Sequence, residues 1–529
     1  MERLSGLDTT FLTFETPSVH MHVAQTAIFD SKTVPGGYEF SKVKEHIRSR
    51  LHLVPPFRRR VVEVPFNLHH PLWVEDPDFD LDYHVRRVGV PAPGGLEDLS
   101  ELAGRIASRP LDRSRPLWES YICEGMQNDW IGVITKMHHC AVDGVSGAEL
   151  MANLFDLTPD GASFSPPDDR EPERVPGDVE LIAHAVNSRA RGVAKLLPLL
   201  GQTVSTAANL VQRHRDPDTI VGAVPLTAPP TPWNAAVTPH RKVSFAKVDL
   251  ADVKALKDSY GVTVNDIVLA LMGGTLRRYL EAKDALPDDP LIAVCPVSVR
   301  TDDEKGETNN RVSAMFTTLA THLDAPAERV ARIHETTKGA KEDHNAVGAN
   351  FLTEWAEYAA PRTFALASRL YSQLNLADRH RPIHNVVISN VPGPPVPLYY
   401  AGAELVAAYP MGPIMEGAGL NITVMSYRDR VDIGFMACRE LVPDVWDLPG
   451  HVDAAMAELL EDAGLAKPSR AKSPAKKAAS KKASRKKTAA KKKSPPKKQG
   501  AAKKKAPGKS AAKKRASKRS AAKKRATKK

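Results

Sequence analysis

At 529 residues the chain is longer than one hydrophobic core usually sustains, so at least two globular domains are expected. Its formal charge of +12 is concentrated at one end: positions 467–529 hold 29 Lys or Arg and no acid, while the other 45 basic residues face 62 acidic ones, leaving a body of net charge −17. Four scattered cysteines without a Cys-x-x-Cys pair exclude a disulfide framework and a thiolate zinc site and fit a reducing cytoplasm. No apolar run reaches the roughly 18 residues of a membrane span, and the first residues lack the apolar stretch of a signal peptide.

Along the chain, apolar spacing predicts helices over 40–53 and 97–109 and strands over 118–126 and 130–138. A helical stripe resumes over 144–157, followed by a Pro- and Asp-rich loop to 178. Residues 179–215 lean to helix, and 217–239 read as a proline-rich linker. A second strand–helix series follows: a strand at 242–250, helices at 251–260 and 264–280, and strands at 291–299 and 311–320. Helices at 325–343 and 351–374, four short strands between 385 and 438, and a helix at 442–466 complete the body. The expected domains are 1–178, a helical crossover and linker at 179–240, and 241–466. The Lys/Ala/Ser/Pro tail at 467–529 has no aromatic residue and is expected to be disordered.

The informative motif is His138-His139-Cys140-Ala141-Val142-Asp143-Gly144, at the end of the 130–138 strand. If the strand continues, alternation sends His138 and His139 to opposite sides, so only one readily faces a given cavity. A neutral imidazole there can take the proton of a hydroxyl as it attacks a thioester, because its pKa lies near working pH. A carboxylate such as Asp143 has two available roles: fixing the ring tautomer, or pairing with an arginine to hold the loop. Gly144 gives the backbone freedom after it. A lone His-x-x-x-Asp arises about once by chance in such a chain and decides nothing, whereas the full pattern is expected roughly a few times in a thousand chains. The bland alternative is a buried histidine pair holding a turn.

Around this motif the sequence resembles the bacterial wax ester synthase/diacylglycerol acyltransferases, within the wider group of coenzyme A-dependent acyltransferases. The resemblance covers about 1–465 and rests on ordered blocks: Leu4-Ser5-Gly6-Leu7-Asp8 with Phe11-Leu12 and Met21-His22-Val23, Pro116-Leu117-Trp118, Val264-Asn265-Asp266, Pro296-Val297-Ser298-Val299-Arg300, and Ser389-Asn390-Val391-Pro392-Gly393-Pro394. It implies an α/β fold of two similar chloramphenicol-acetyltransferase-like domains around a central channel. It also implies His139 as general base, with His138 and Asp143 beside it and Asp143 mainly structural. Arg300 is the candidate partner of Asp143. Long-chain acyl-CoA is implied as co-substrate, with diacylglycerol or a long-chain alcohol as acceptor, and no cofactor or metal.

The remaining signals have plainer explanations. Asn265-Asp266 precedes an apolar helix, where capping suffices; Pro116-Leu117-Trp118 reads as packing at a strand start, and 389–394 as a strand ending in a rigid turn. Cys140 invites an acyl-cysteine route, although free cysteines are usually small buried hydrophobes. Residues 193–211 are the best interfacial segment. The tail can bind anionic lipid or DNA without sequence preference, and the lipid substrates favour recruitment to the inner membrane face or a lipid droplet. Two other functions compete with neutral-lipid synthesis. One is a condensation-domain-like or polyketide-associated acyltransferase using carrier-protein thioesters; the other is a non-catalytic lipid- or nucleoid-binding protein.

Overall fold

The computed structural model describes residues 2–142, 152–161, 219–298, 312–347 and 361–466, with a few positions between 164 and 216. Its strands are β1 (Glu2–Arg3), β2 (His22–Asp30), β3 (Arg59–Val62), β4 (Leu72–Glu75), β5 (Val85–Gly89), β6 (Trp118–Glu124), β7 (Trp130–His138), β8 (Arg241–Asp249), β9 (Ile292–Ser298), β10 (Val312–Thr318), β11 (Val386–Val391), β12 (Tyr399–Tyr400), β13 (Ala403–Met411), β14 (Leu420–Tyr427) and β15 (Arg430–Cys438). The helices used below are α1 (Gly6–Phe14), α2 (Phe40–Arg50), α3 (Leu96–Ala107), α4 (Leu250–Tyr260), α5 (Val264–Glu281), α6 (Pro326–Val347), α7 (Pro361–Gln373) and α8 (Leu448–Asp462).

Two six-stranded sheets carry the fold, in the orders β12-β13-β2-β7-β6-β5 and β10-β9-β11-β14-β15-β8; β1, β4 and β3 form a small third sheet. The architecture is mixed α/β with two domains. β7 lies inside the first sheet, antiparallel to both β2 and β6, with His22 directly opposite His138. Its alternation holds. Ile131, Val133 and Met137 enter one apolar cluster, and Ile134 enters the cluster on the other face.

Local sequence explains the principal helices. α5 starts on a reciprocal capping box between Thr263 and Asp266 and is apolar almost all round, so it is buried as the centre of the second half's core. α4 stops at Gly261, whose φ of +68° closes the helix without a Cβ penalty. The helix predicted over 40–53 ends at Arg50 and tightens into a 3-10 turn ahead of Pro55 and Pro56, which cannot donate to a continuing helix. The helix predicted from 442 begins at Leu448, because Pro443 and Pro449 bound its start.

One difference concerns connectivity. The sequence reading assigned all the strands between 385 and 438 to the second half, yet β12 and β13 join the first sheet, with β13 antiparallel to β2. Strand pattern gives period and not partner, so this crossover was not visible in it. Asp143, Gly144, Arg300, nearly all of 193–211 and the tail from 467 lie outside the described residues.

Candidate active site

The chain leaves β7 at His138 and enters a single 3-10 turn, His139–Ala141, capped by the His138 side chain. His138 is buried and held at three points. Its backbone N–H donates to the Leu117 carbonyl at 3.0 Å. Its Nδ1 accepts the Cys140 N–H at 3.1 Å, and its Nε2 lies 3.5 Å from Glu15 Oε2. Because Nδ1 accepts a backbone amide, the ring proton belongs on Nε2, facing the carboxylate. Burial pushes the His138 pKa below the usual imidazole value, and the Glu15 contact only partly opposes this. His138 is thus a neutral ring whose Nδ1 is hydrogen-bonded and whose Nε2 faces the Glu15 carboxylate at 3.5 Å.

His139 is placed differently. Its backbone N–H donates to the Met21 carbonyl at 2.8 Å, and its half-buried ring stacks on Phe11 with centroids 4.0 Å apart at 20°. Met21 is buried and adopts φ +49°, a left-handed conformation uncommon for a side chain of that size. Phe11 belongs to α1, whose first turn is fixed by a reciprocal Ser5–Asp8 capping box. The Leu-Ser-Gly-Leu-Asp block therefore builds the helix that supports the second histidine.

Cys140 is 2% exposed, and burial drives its thiol well above the usual range, which disfavours the thiolate a nucleophile needs. Leu117 supplies the carbonyl that anchors His138. Trp118 is sandwiched between Phe57 at 4.1 Å and His84 at 4.6 Å and donates its indole N–H to the Phe57 carbonyl. Pro116-Leu117-Trp118 is packing that fixes the strand beside the motif.

In the second half, Asp266 Oδ2 accepts from the Thr263 amide, the Thr263 hydroxyl and His334 Nδ1, at 3.0, 2.8 and 2.8 Å. Burial raises the Asp266 carboxyl, but the His334 and Thr263 hydrogen bonds outweigh it and hold the pKa below the ordinary value. Asn265 Oδ1 lies 3.5 Å from Asn390 Nδ2, linking two of the sequence blocks. Gly393 has to be glycine, since a Cβ there would come within 2.1 Å of the Ser426 carbonyl. Among the described residues, no group of three or more His, Cys, Asp or Glu is arranged to hold a metal ion.

Residues 4–268 match the family model for the wax ester synthase/diacylglycerol acyltransferase catalytic domain, and 308–460 match that for the family's C-terminal domain. The chain belongs to this family. It is 37% identical over 465 residues to Rv1760 of Mycobacterium tuberculosis, a protein whose name carries a provisional diacylglycerol O-acyltransferase assignment; the match covers 87% of this chain and 90% of the relative. Rv0221 of the same organism, with the same provisional assignment, is 36% identical, covering 88% and 97%. The solved wax ester synthase/diacylglycerol acyltransferase of Marinobacter aquaeolei VT8 superposes with a TM-score of 0.61 at 29% identity, covering 88% of this chain and all of that one. The first condensation domain of the calcium-dependent antibiotic synthetase matches at TM-score 0.54 and 13% identity, which shows a shared fold alone. As a wax ester synthase/diacylglycerol acyltransferase family member, the chain is an acyltransferase with an acyl-CoA donor and an acyl acceptor.

Sequence reasoning missed Glu15, Arg113 and His334 as site neighbours. None sits in a motif, and only the folded chain brings Glu15 to His138 or His334 to Asp266. Phe11 and Met21 lie in blocks that carried the resemblance, but nothing in those blocks assigned them to His139.

Proposed function

We propose that this enzyme moves a long-chain fatty acyl group from acyl-CoA to the free hydroxyl of diacylglycerol, forming triacylglycerol, and to a fatty alcohol, forming wax ester. His139 acts as general base. It takes the hydroxyl proton as the oxygen attacks the thioester carbonyl; the tetrahedral intermediate then collapses, and the departing coenzyme A thiolate recovers the proton. The thioester supplies the activation, so the reaction as written calls on no further cofactor. The observation that supports the assignment is the difference between the two rings: His138 is fully buried, with Nδ1 accepting the Cys140 amide and Nε2 facing Glu15, while His139 is half-buried against Phe11 where the strand ends. Asp143 and Gly144 are proposed to shape the turn after the base, with Arg300 pairing Asp143.

We also propose that the enzyme works at a lipid surface on the cytoplasmic side. Among the described residues no helix is long and apolar enough to cross a membrane. Support for surface docking comes from α7 and the residues after it. Leu366, Leu370 and Leu374 are exposed at one-turn spacing, and Arg369, Arg379 and Arg381 flank them. The polycationic tail would add attraction to anionic headgroups.

The test is coenzyme A release from palmitoyl-CoA with diacylglycerol or hexadecanol, comparing wild type with His139→Ala. Histidine-dependent release with either acceptor is expected; its absence with both overturns the proposal. Flotation of full-length and 1–466 protein with neutral and anionic liposomes, and binding to duplex DNA, separates lipid recruitment from DNA tethering by the tail.

A further inference from the structure

The resemblance implies a carboxylate–arginine pair bracing the histidine turn, and Asp143 and Arg300 were the expected members. A different such pair lies against the motif. Glu15, the residue that ends α1, receives two guanidinium hydrogen bonds on Oε2, from Arg113 Nε at 2.8 Å and Nη2 at 2.5 Å. The same Nη2 donates at 2.7 Å to the Leu12 carbonyl, in the last turn of α1 where carbonyls lack helical partners. Arg113 therefore ties down both the end of the helix and its carboxylate. Burial raises the Glu15 carboxyl, but His138 and Arg113 together hold its pKa below the ordinary value, so it remains an anion at neutral pH.

That anion faces His138 Nε2 at 3.5 Å, while Nδ1 of the same ring accepts the Cys140 amide. The two contacts require one tautomer. If the proton moved to Nδ1, the ring would present N–H to N–H at Cys140 and a lone pair to the carboxylate, losing both. α1 also touches the other histidine. Phe11 and Glu15 are four residues apart, one turn along the same helix face, and they meet His139 and His138 respectively.

We propose that Glu15, held by Arg113, is a positioning residue for acyl transfer: it fixes His138 as the Nε2–H tautomer, whose Nδ1 closes the turn that presents His139. This rests on the reading of His139 as base, and it concerns residues outside the His-His-x-x-x-Asp-Gly pattern. Glu15 touches neither substrate nor the reacting ring; it acts through His138.

The experiment pairs a spectroscopic readout with kinetics on the full-length enzyme. With 15N-histidine labelling, wild-type His138, identified by its absence in His138→Gln, is expected as the neutral Nε2–H tautomer. Glu15→Gln removes the charge at nearly constant shape, and should mix the tautomers and lower kcat by on the order of 10- to 100-fold, by analogy with the loss when the outer partner of a metal-bound histidine is removed. KM for palmitoyl-CoA should stay within about threefold, since Glu15 binds no substrate. Glu15→Asp keeps the charge and should recover part of both signals. An Nδ1–H tautomer in wild type overturns the proposal whatever the activity. So does unchanged kcat with a changed tautomer, or lowered kcat with an unchanged one. If Glu15→Gln does not fold, Arg113→Lys is measured in the same way and carries the same expectation. The tautomer readout needs no turnover, so a wild type inactive on both acceptors would sink the His139 reading and leave the positioning claim separately decided.

Discussion

Asp432 on β15 accepts the Ala408 amide of β13 at 2.9 Å, joining the two large sheets where they meet. The carboxylate is fully buried, with Arg430 Nε at 3.3 Å from its other oxygen. Burial outweighs Arg430 and the Ala408 amide and pushes its pKa up to about 6. Its pKa is raised on folding, so between about pH 4 and 6 the native state holds a proton that the unfolded chain releases. This group therefore stabilises the fold as pH falls and costs stability as pH rises, by roughly 3 kcal/mol across the window. Asp432→Asn should keep the Ala408 hydrogen bond and lose that dependence. Urea unfolding at pH 4 and 7 is expected to show the variant losing roughly 3 kcal/mol more than wild type on acidification.

The buried histidines act in the opposite sense. Burial lowers His20, His46 and His384 to about 4 each, and His22 and His138 shift the same way. Below the unfolded value of 6.5 the unfolded chain takes protons the native state refuses, so stability present at pH 7 is lost as pH falls toward 4. Each of the three is worth roughly 3 kcal/mol over that range, and together they exceed the opposing term from Asp432. Net acid lability is expected. His384 offers the cleanest check, because neither of its ring nitrogens has a hydrogen-bond partner among the described residues. His384→Leu should flatten the pH 7 to 4 decline by roughly 3 kcal/mol in the same titration; an unaltered slope would contradict the assignment.

Arg50 and Asp156 form an ion pair at 2.6 Å with both side chains almost wholly buried. Asp156 also exchanges two backbone hydrogen bonds with Tyr399, each 2.8 Å, so it links α2 to β12 from the segment that follows the histidine motif. Removing one partner leaves a buried charge uncompensated, which costs about 3–5 kcal/mol, far more than an exposed pair. Asp156→Ala is therefore expected to lower Tm sharply. Disrupting the exposed Glu101–Arg105 pair with Glu101→Ala should change it little.

How much of this was legible in the sequence follows from the range of each interaction. The 130–138 strand and its alternation are set by neighbours along the chain, and the structure shows them at the expected residues; the strand stops at His138, and His139 opens a 3-10 turn instead of continuing the alternation. The capping role of Asp266 was likewise readable, because its partner Thr263 is three residues away. β13 was misplaced because its partner β2 lies nearly 400 residues earlier in the chain, and alternation carries no address. Glu15 and Arg113 were silent for the same reason: their significance comes from meeting 98 residues apart. Family blocks pointed to the candidate site, and only packing showed what the residues around it touch.

The exposed leucines of α7, with Leu374 just after it, give a prediction about where the enzyme works. Burying one such side chain in an acyl layer contributes roughly 1.5–3 kcal/mol, so three together outweigh any single surface charge. A Leu366→Ser/Leu370→Ser/Leu374→Ser variant should release the protein from neutral liposomes. It should leave thermal stability nearly unchanged, because these side chains are already exposed. Retained flotation of the variant would remove α7 as the docking face.

The two histidines should separate in opposite experiments. His138 caps the turn, accepts the Cys140 amide and faces Glu15 while buried, so His138→Ala leaves a cavity, a bare amide and an exposed face on the carboxylate's pocket. A loss of about 2–4 kcal/mol in urea unfolding is expected, from the unsatisfied amide and the lost packing together. His139 touches Phe11 through one half-buried ring, so His139→Ala should cost only about 1 kcal/mol. Turnover should divide the other way. His139→Ala is expected to abolish coenzyme A release at any substrate concentration, because it removes the proposed base itself. Phe11→Ala should leave the base chemically intact but unsupported, giving partial activity with a lower kcat. If His138→Ala proved stable and inactive while His139→Ala proved unstable and active, the assignment of base and scaffold would have to be exchanged.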